Sequence, residues 1–218
     1  MRRTLTAAAA LAAFGIGIGS ASATIITYSL DVYTGSGTPP AGPYGSVTLN
    51  DHSGANVEVT VSLTPGVGMI NSGAGAALTW ALKGTPVVGI TGLTTGFTVS
   101  HNGTSTGNLD GTGSWKYEID CTTALCGSGG SNPYTGTLDF TINNVALGDF
   151  TTNGRTATGY YFASDICTQV GTRGCAGITG DIASNTPGVD PTPAPEPVSL
   201  TLLGTGLLGL SIVRYRRA

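Results

Sequence analysis

The chain has 218 residues, of which 40% are hydrophobic and only 10% charged, with 35 glycines and a formal net charge of −3 at pH 7. That apolar and β-branched content excludes an intrinsically disordered chain, whose signature is low hydrophobicity with high net charge. Of the nine basic residues, Arg2, Arg3, Arg214, Arg216 and Arg217 stand at the two ends. The acidic middle that remains excludes a surface built for nucleic acid or anionic lipid headgroups.

At the N-terminus, Arg2 and Arg3 precede an apolar stretch from Ala7 to Ile18, and Ala21-Ser22-Ala23 has the small-x-small form of a signal-peptidase site. The pattern predicts a signal peptide over 1–23, cut between Ala23 and Thr24. Thr4-Leu5-Thr6 after the arginine pair fits a plain basic leader better than the twin-arginine route. The next segment, 24–187, is long enough for one domain with a sizeable core.

Within it, Val47 and Leu49 alternate with Ser46 and Thr48, Asp51-His52-Ser53-Gly54 turns the chain, and Val57, Val59, Val61 and Leu63 alternate with Glu58, Thr60 and Ser62. A period of two with turn residues between predicts a half-buried antiparallel hairpin. Short strands are also predicted at Ala77 to Leu82, Val87 to Ile90, Phe97 to Ser100, Ser114 to Ile119, Gly136 to Ile142 and Arg155 to Ala163. No segment carries a long helical period. The expected class is therefore all-β, a single antiparallel β-sandwich or jelly-roll-like domain.

Four cysteines in an exported chain point to disulfides. Of the three pairings, Cys121 with Cys126 and Cys167 with Cys175 are favoured, each closing a small Gly-rich or polar loop. Zinc fits less well, because C-x4-C and C-x7-C lack a C-x2-C knuckle and no histidine lies near either pair. Asn108-x-Asp110-Gly111-x-Gly113-Ser114 has the outline of a calcium loop, yet its twelfth position is Ile119 where a bidentate Glu belongs. It reads as a Gly-rich hairpin turn. No metal and no cofactor is assigned.

Catalytic sets are as sparse. Asp51, His52 and Ser53 are consecutive and cannot converge as a triad, and no G-x-S-x-G elbow occurs. His101 ends a predicted strand. Glu58, Asp110, Glu118 and Asp120 offer carboxylates for glycoside cleavage only if two of them flank a cleft; exposed alternation accounts for Glu118 and Asp120. The chain is not read as an enzyme. Aromatic residues leave more open: Trp115 and Tyr117 lie two apart on one strand face, a sugar-stacking platform if that face is solvated and core if it is not. Tyr160-Tyr161 point to opposite faces, so one of the two is expected to be exposed.

Beyond the domain, 188–197 is a Pro-rich stalk ending in Pro195-Glu196-Pro197. Val198 to Val213 follows, 16 residues of which nine are Val, Leu or Ile, and then the basic tail 214–218 with Arg214, Arg216 and Arg217. As a helix the apolar run reaches about 24 Å, short of the roughly 30 Å hydrocarbon core, so it predicts a marginal transmembrane segment with its basic end cytoplasmic.

Pro-Glu-Pro, a Gly/Leu-rich apolar stretch and a terminal arginine cluster, in that order over Pro195 to Arg217, resemble the PEP-CTERM sorting signal. The resemblance implies an exported protein of a Gram-negative bacterium that makes exopolysaccharide, with an exosortase removing or transferring the tail at the inner membrane. The domain is also similar, more loosely, to a recurrent PEP-CTERM protein body, through Tyr44-Gly45-Ser46-Val47-Thr48-Leu49, Phe162-Ala163-Ser164-Asp165-Ile166 and Thr179-Gly180. That likeness implies an exported β-rich domain and no chemistry. The expectation is a structural or adhesive protein of the cell envelope, exopolysaccharide matrix or biofilm; a polysaccharide-binding module centred on Trp115 and Tyr117 is the alternative, and a secreted hydrolase the third.

Overall fold

The computed structural model describes residues 24–51, 55–73, 75–154 and 159–189. Residues 1–23, expected to form a signal peptide ending at Ala23, lie outside these residues, as do His52 and Ser53 of the expected turn and everything from Asp190 onward. The expected sorting motif Pro195-Glu196-Pro197, the apolar segment and the basic tail are therefore outside them too.

In chain order the first strands are β1 (Ile25–Leu30), β2 (Val32–Tyr33), β3 (Gly45–Asp51), β4 (Asn56–Leu63), β5 (Gly68–Met69) and β6 (Leu78–Leu82). Then come β7 (Gly89–Thr91), β8 (Phe97–Leu109), β9 (Gly113–Cys121), the one-turn helix α1 (Thr123–Cys126) and β10 (Leu138–Asn143). A 3-10 turn at Leu147–Asp149 leads to β11 (Phe150–Thr151), β12 (Phe162–Cys167), β13 (Val170–Gly171), β14 (Gly174–Cys175) and β15 (Thr179–Ser184). Every strand pairing is antiparallel. No described helix is long and apolar enough to cross a membrane.

A five-stranded sheet runs β1-β3-β4-β10-β7, and an eight-stranded one has the central order β2-β15-β12-β6-β9-β8. The alternation in β3 and β4 does what its period requires. Val47, Leu49, Val57, Val59 and Val61 are buried, while Glu58 is exposed. Phe140 and Ile142 of β10 extend the same inner face. From the larger sheet, Trp80, Tyr117, Ile119, Phe162, Ile166 and Ile182 join one apolar cluster with them. Trp80 and Tyr117 stack there at 5.4 Å between ring centroids, and Phe140 lies 5.5 Å from Trp80.

Both disulfides expected from loop size are present, Cys121–Cys126 and Cys167–Cys175, and no described cysteine is free. The first ties the end of β9 to α1, the second ties β12 to the small β13–β14 hairpin. Two bridges in a chain of this kind fit an oxidising compartment.

Three differences from the sequence reading have physical causes. β8 continues from Ser100 through Asn102-Gly103 to Leu109, because bulges between Val99 and His101 and between Asn102 and Gly107 absorb the turn-like residues without ending the pairing. Of the strand expected at Arg155 to Ala163, residues 155–158 lie outside the described residues, and among the rest the strand begins at Phe162, where pairing to β6 and β15 starts. Thirdly, Trp115 and Tyr117 are 1% and 0% exposed, so no sugar-stacking platform forms on them. Tyr117 belongs to the main cluster. Beyond the bulge Trp115 packs with Ala76, Leu109, Ala163 and Ala183 in a second cluster, its Nε1 donating to Thr112 Oγ1 at 3.0 Å. Neither Tyr160 nor Tyr161 is fully exposed: Tyr160 packs on that second cluster and Tyr161 lies 5.2 Å from Tyr28.

Candidate functional site

The second cluster lies on the other face of β12. Register pairs Ala163 with Ala183 and Asp165 with Asp181, whereas Phe162, Ile166 and Ile182 turn into the main core. Residues directly opposite on antiparallel strands share a face, so Asp165 and Asp181 stand side by side, with Cβ atoms typically ~4.5–5.5 Å apart. Both are buried, at 2% and 4% exposure. Like charges so placed destabilise a sheet unless something compensates them.

Asp165 has donors. The Ser72 hydroxyl bonds its Oδ2, and the backbone N–H groups of Ser72 and Ile166 also donate to the carboxylate. Asp181 is different: its Oδ2 is buried with no hydrogen-bond partner. Burial pushes the Asp165 carboxyl up to about 6, against the pull of the Ser72 bonds and with a smaller push from Asp110. Burial again, then Asp165 and Asp110, push Asp181 up to about 8.

The pair lines a cavity of about 190 Å³ whose wall also holds Ser36, Ser72 and Thr179, with Asp110 exposed. Glycines let the backbones close around it. A Cβ on Gly75 would overlap the Asp165 carboxylate, and one on Gly180 would stand 2.6 Å from the Tyr33 hydroxyl. That hydroxyl donates to the Thr179 carbonyl at 3.0 Å, holding the rim.

No family model, no curated protein and no solved structure matches the chain. The site is therefore read from its own residues.

A larger groove of about 510 Å³ crosses the outer face of β1, β3 and β4 where residues 186–189 pass over it. Thr27, Ser29, Ser46, Ser62, Thr64 and Thr186 line it with hydroxyls, and no aromatic ring is present in its wall. The remaining sequence-predicted carboxylates do not converge on either cavity. Glu118 pairs with His101 at 3.2 Å on the β8–β9 ribbon, where burial and the neighbouring Asp120 raise its carboxyl while His101 lowers it. Glu58 stands alone on the outer face, within 3.4 Å of the Asn50 amide.

In the sequence Asp110 stands in a calcium-loop outline and Asp165 within Phe162-Ala163-Ser164-Asp165-Ile166, and no local pattern joins the two. Asp181 was missed. The signal for it was Thr179-Gly180 immediately before, together with an acidic residue inside a segment whose neighbours are Ile182 and Ala183. An ionisable group within a strand destined for two-sided burial is the anomaly to look for.

Proposed function

We propose that this is an exported β-sandwich domain, sorted by an exosortase through its PEP-CTERM-like tail to the cell envelope or extracellular matrix, where it has a structural or adhesive role. The observation that carries the reading is the ordered set at the C-terminus: Pro195-Glu196-Pro197, the apolar run from Val198, and Arg214, Arg216 and Arg217. The leader over 1–23 and the two disulfides support export. Two sheets sharing one apolar cluster support the sandwich. The inner membrane and the exosortase are partners of the precursor, and no catalytic role is proposed.

Intact mass of the native protein from envelope and medium tests the sorting. The expected species begins at Thr24 and has lost the tail after the Pro-Glu-Pro region; a mature protein that keeps Arg217 overturns it.

One observation favours polysaccharide binding as the second reading, namely the groove lined by six hydroxyl side chains on the outer sheet face. It needs no platform at Trp115. Titration with the host's own exopolysaccharide, beside Ser46→Tyr to fill the groove, tests it: saturable binding lost in the variant supports this reading, and no binding by the folded protein removes it.

A further inference from the structure

We propose that the cavity between β12 and β15 is a binding site for a divalent cation of the calcium class, with Asp165 and Asp181 as its anionic floor. The inference goes beyond the sorting reading and does not depend on it.

Four observations converge. Two carboxylates are set side by side by strand register and almost fully buried. A third, Asp110, adds negative charge from its exposed position. No lysine, arginine or histidine is among the residues lining the cavity, so nothing there offsets that charge. Finally, Asp181 Oδ2 is buried in the wall with no donor, an acceptor left over once the protein's own hydrogen bonds are counted. A buried, unsatisfied carboxylate oxygen is costly, and each such group calls for an explanation.

The chemistry of the wall selects the guest. Its side-chain donors are carboxylates and the hydroxyls of Ser36, Ser72 and Thr179, an all-oxygen set that suits a hard cation and offers no thiolate or imidazole to zinc or copper. Size agrees, since a cavity of about 190 Å³ has room for an ion that keeps part of its hydration. Because the Gly75 backbone packs against Asp165 and the Gly180 backbone against Tyr33, the walls are fixed by close main-chain contacts.

Among the described residues no three carboxylate, thiol or imidazole groups already stand close enough to close on one ion. The cation is therefore held by the two strand carboxylates, a hydroxyl and water, with Asp110 acting through its field. So few charged ligands place the affinity in the range of extracellular calcium modules, about 10⁻⁴–10⁻³ M. The calcium-loop outline at Asn108 to Ser114 thus contributes one acidic residue to a site whose other ligands come from distant strands.

The test uses the purified, disulfide-intact protein at pH 7.5, stripped with chelator and then titrated with CaCl₂, with melting temperature and calorimetry as readouts. Calorimetry is expected to show saturable binding with its midpoint at about 0.1–1 mM calcium, and the melting temperature to rise with the logarithm of calcium concentration above that range. Terbium luminescence excited through tyrosine gives a second readout, since the Tyr33 ring borders the cavity. Asp181→Asn is expected to abolish the calcium response. The exposed Asp110→Asn, which leaves every buried contact in place, is expected to weaken binding several-fold. Ser46→Tyr, in the distant groove, is expected to leave the response unchanged. No shift up to 10 mM calcium overturns the proposal, and so does a shift that survives unchanged in Asp181→Asn. A melting temperature indifferent to calcium but rising on acidification also overturns it, because the pair then holds a proton in place of an ion.

Discussion

The inner face shared by β3, β4 and β10 and the opposite face of β12 and β15 are both buried, yet they are built on different terms. The first is apolar throughout: Val47, Leu49, Val59, Phe140 and Ile142 meet the rings of Trp80 and Tyr117. The second has small residues, Ala163 and Ala183, beside the two aspartates. Burying apolar surface stabilises a sheet at about 25 cal/mol per Å², whereas burying adjacent carboxylates costs stability until a proton or cation joins them. One face therefore maintains the fold. The other combines the apolar packing of Leu109 and Trp115 with a carboxylate pair that lowers stability while both members are ionised.

The contrast breaks first at Trp80. Trp80→Ala empties the centre of the main cluster and is expected to cost about 3–5 kcal/mol, read as a lower denaturation midpoint in urea. A cost below 1 kcal/mol would mean that the shared cluster is not the stabilising core. Next come the disulfides. Replacing Cys167 and Cys175 together by Ser is expected to cost about 2–3 kcal/mol by the chain-entropy estimate for so short a loop. An unchanged midpoint would show that β13 and β14 are already held to β12 by their other bonds.

The aspartate face sharpens the comparison through pH. A native carboxyl raised to about 6 for Asp165 and about 8 for Asp181 binds protons that the unfolded chain, near 3.8, has released. Unfolding then loses protons, so the stability contributed by the pair is complete below about pH 4, declines as pH rises through about 6 and about 8, and is gone above that. Protein free of divalent cations should melt higher at pH 5 than at pH 8.5, read by a thermal scan at each pH. Glu118 titrates in the same direction, so the discriminating variant is Asp181→Asn. It is expected to flatten the profile and raise the melting temperature at pH 8.5. An equally steep profile in that variant would move the titration elsewhere.

How much of this was legible in the sequence depends on which physical term decides each residue. Alternation in Val57-Glu58-Val59-Thr60-Val61 is local, so the β3–β4 hairpin and its inner face could be read directly. Loop length is local too, and both disulfides followed from it. Trp115 and Tyr117 show the limit. Their spacing places them two apart on β9, but whether that face is covered depends on the bulges in β8 and on Ala163 and Ala183 brought from elsewhere. All six residues of β12 are buried, so its alternation carries no inside-or-outside information. The Asp165–Asp181 pair joins residues sixteen apart in sequence through register alone, and nothing near either residue announces the other.

The smallest expected effect makes the sharpest check on the outer face of the first sheet. Glu58 is exposed, flanked across the sheet by Asn50 on β3 and Thr141 on β10, and its contact with the Asn50 amide is long at 3.4 Å. An exposed polar contact of that kind is worth little, so Glu58→Ala should change stability by less than about 0.5 kcal/mol. Its neighbour Val59, one residue on and pointing the other way, should cost about 2 kcal/mol or more when cut to Ala, through lost burial and the cavity left behind. The ratio of the two measures how one-sided the sheet is in solution. A comparable loss at both positions would mean that the outer face is covered when the protein is folded, and sedimentation of wild type and variant would then show whether a second copy of the chain does the covering.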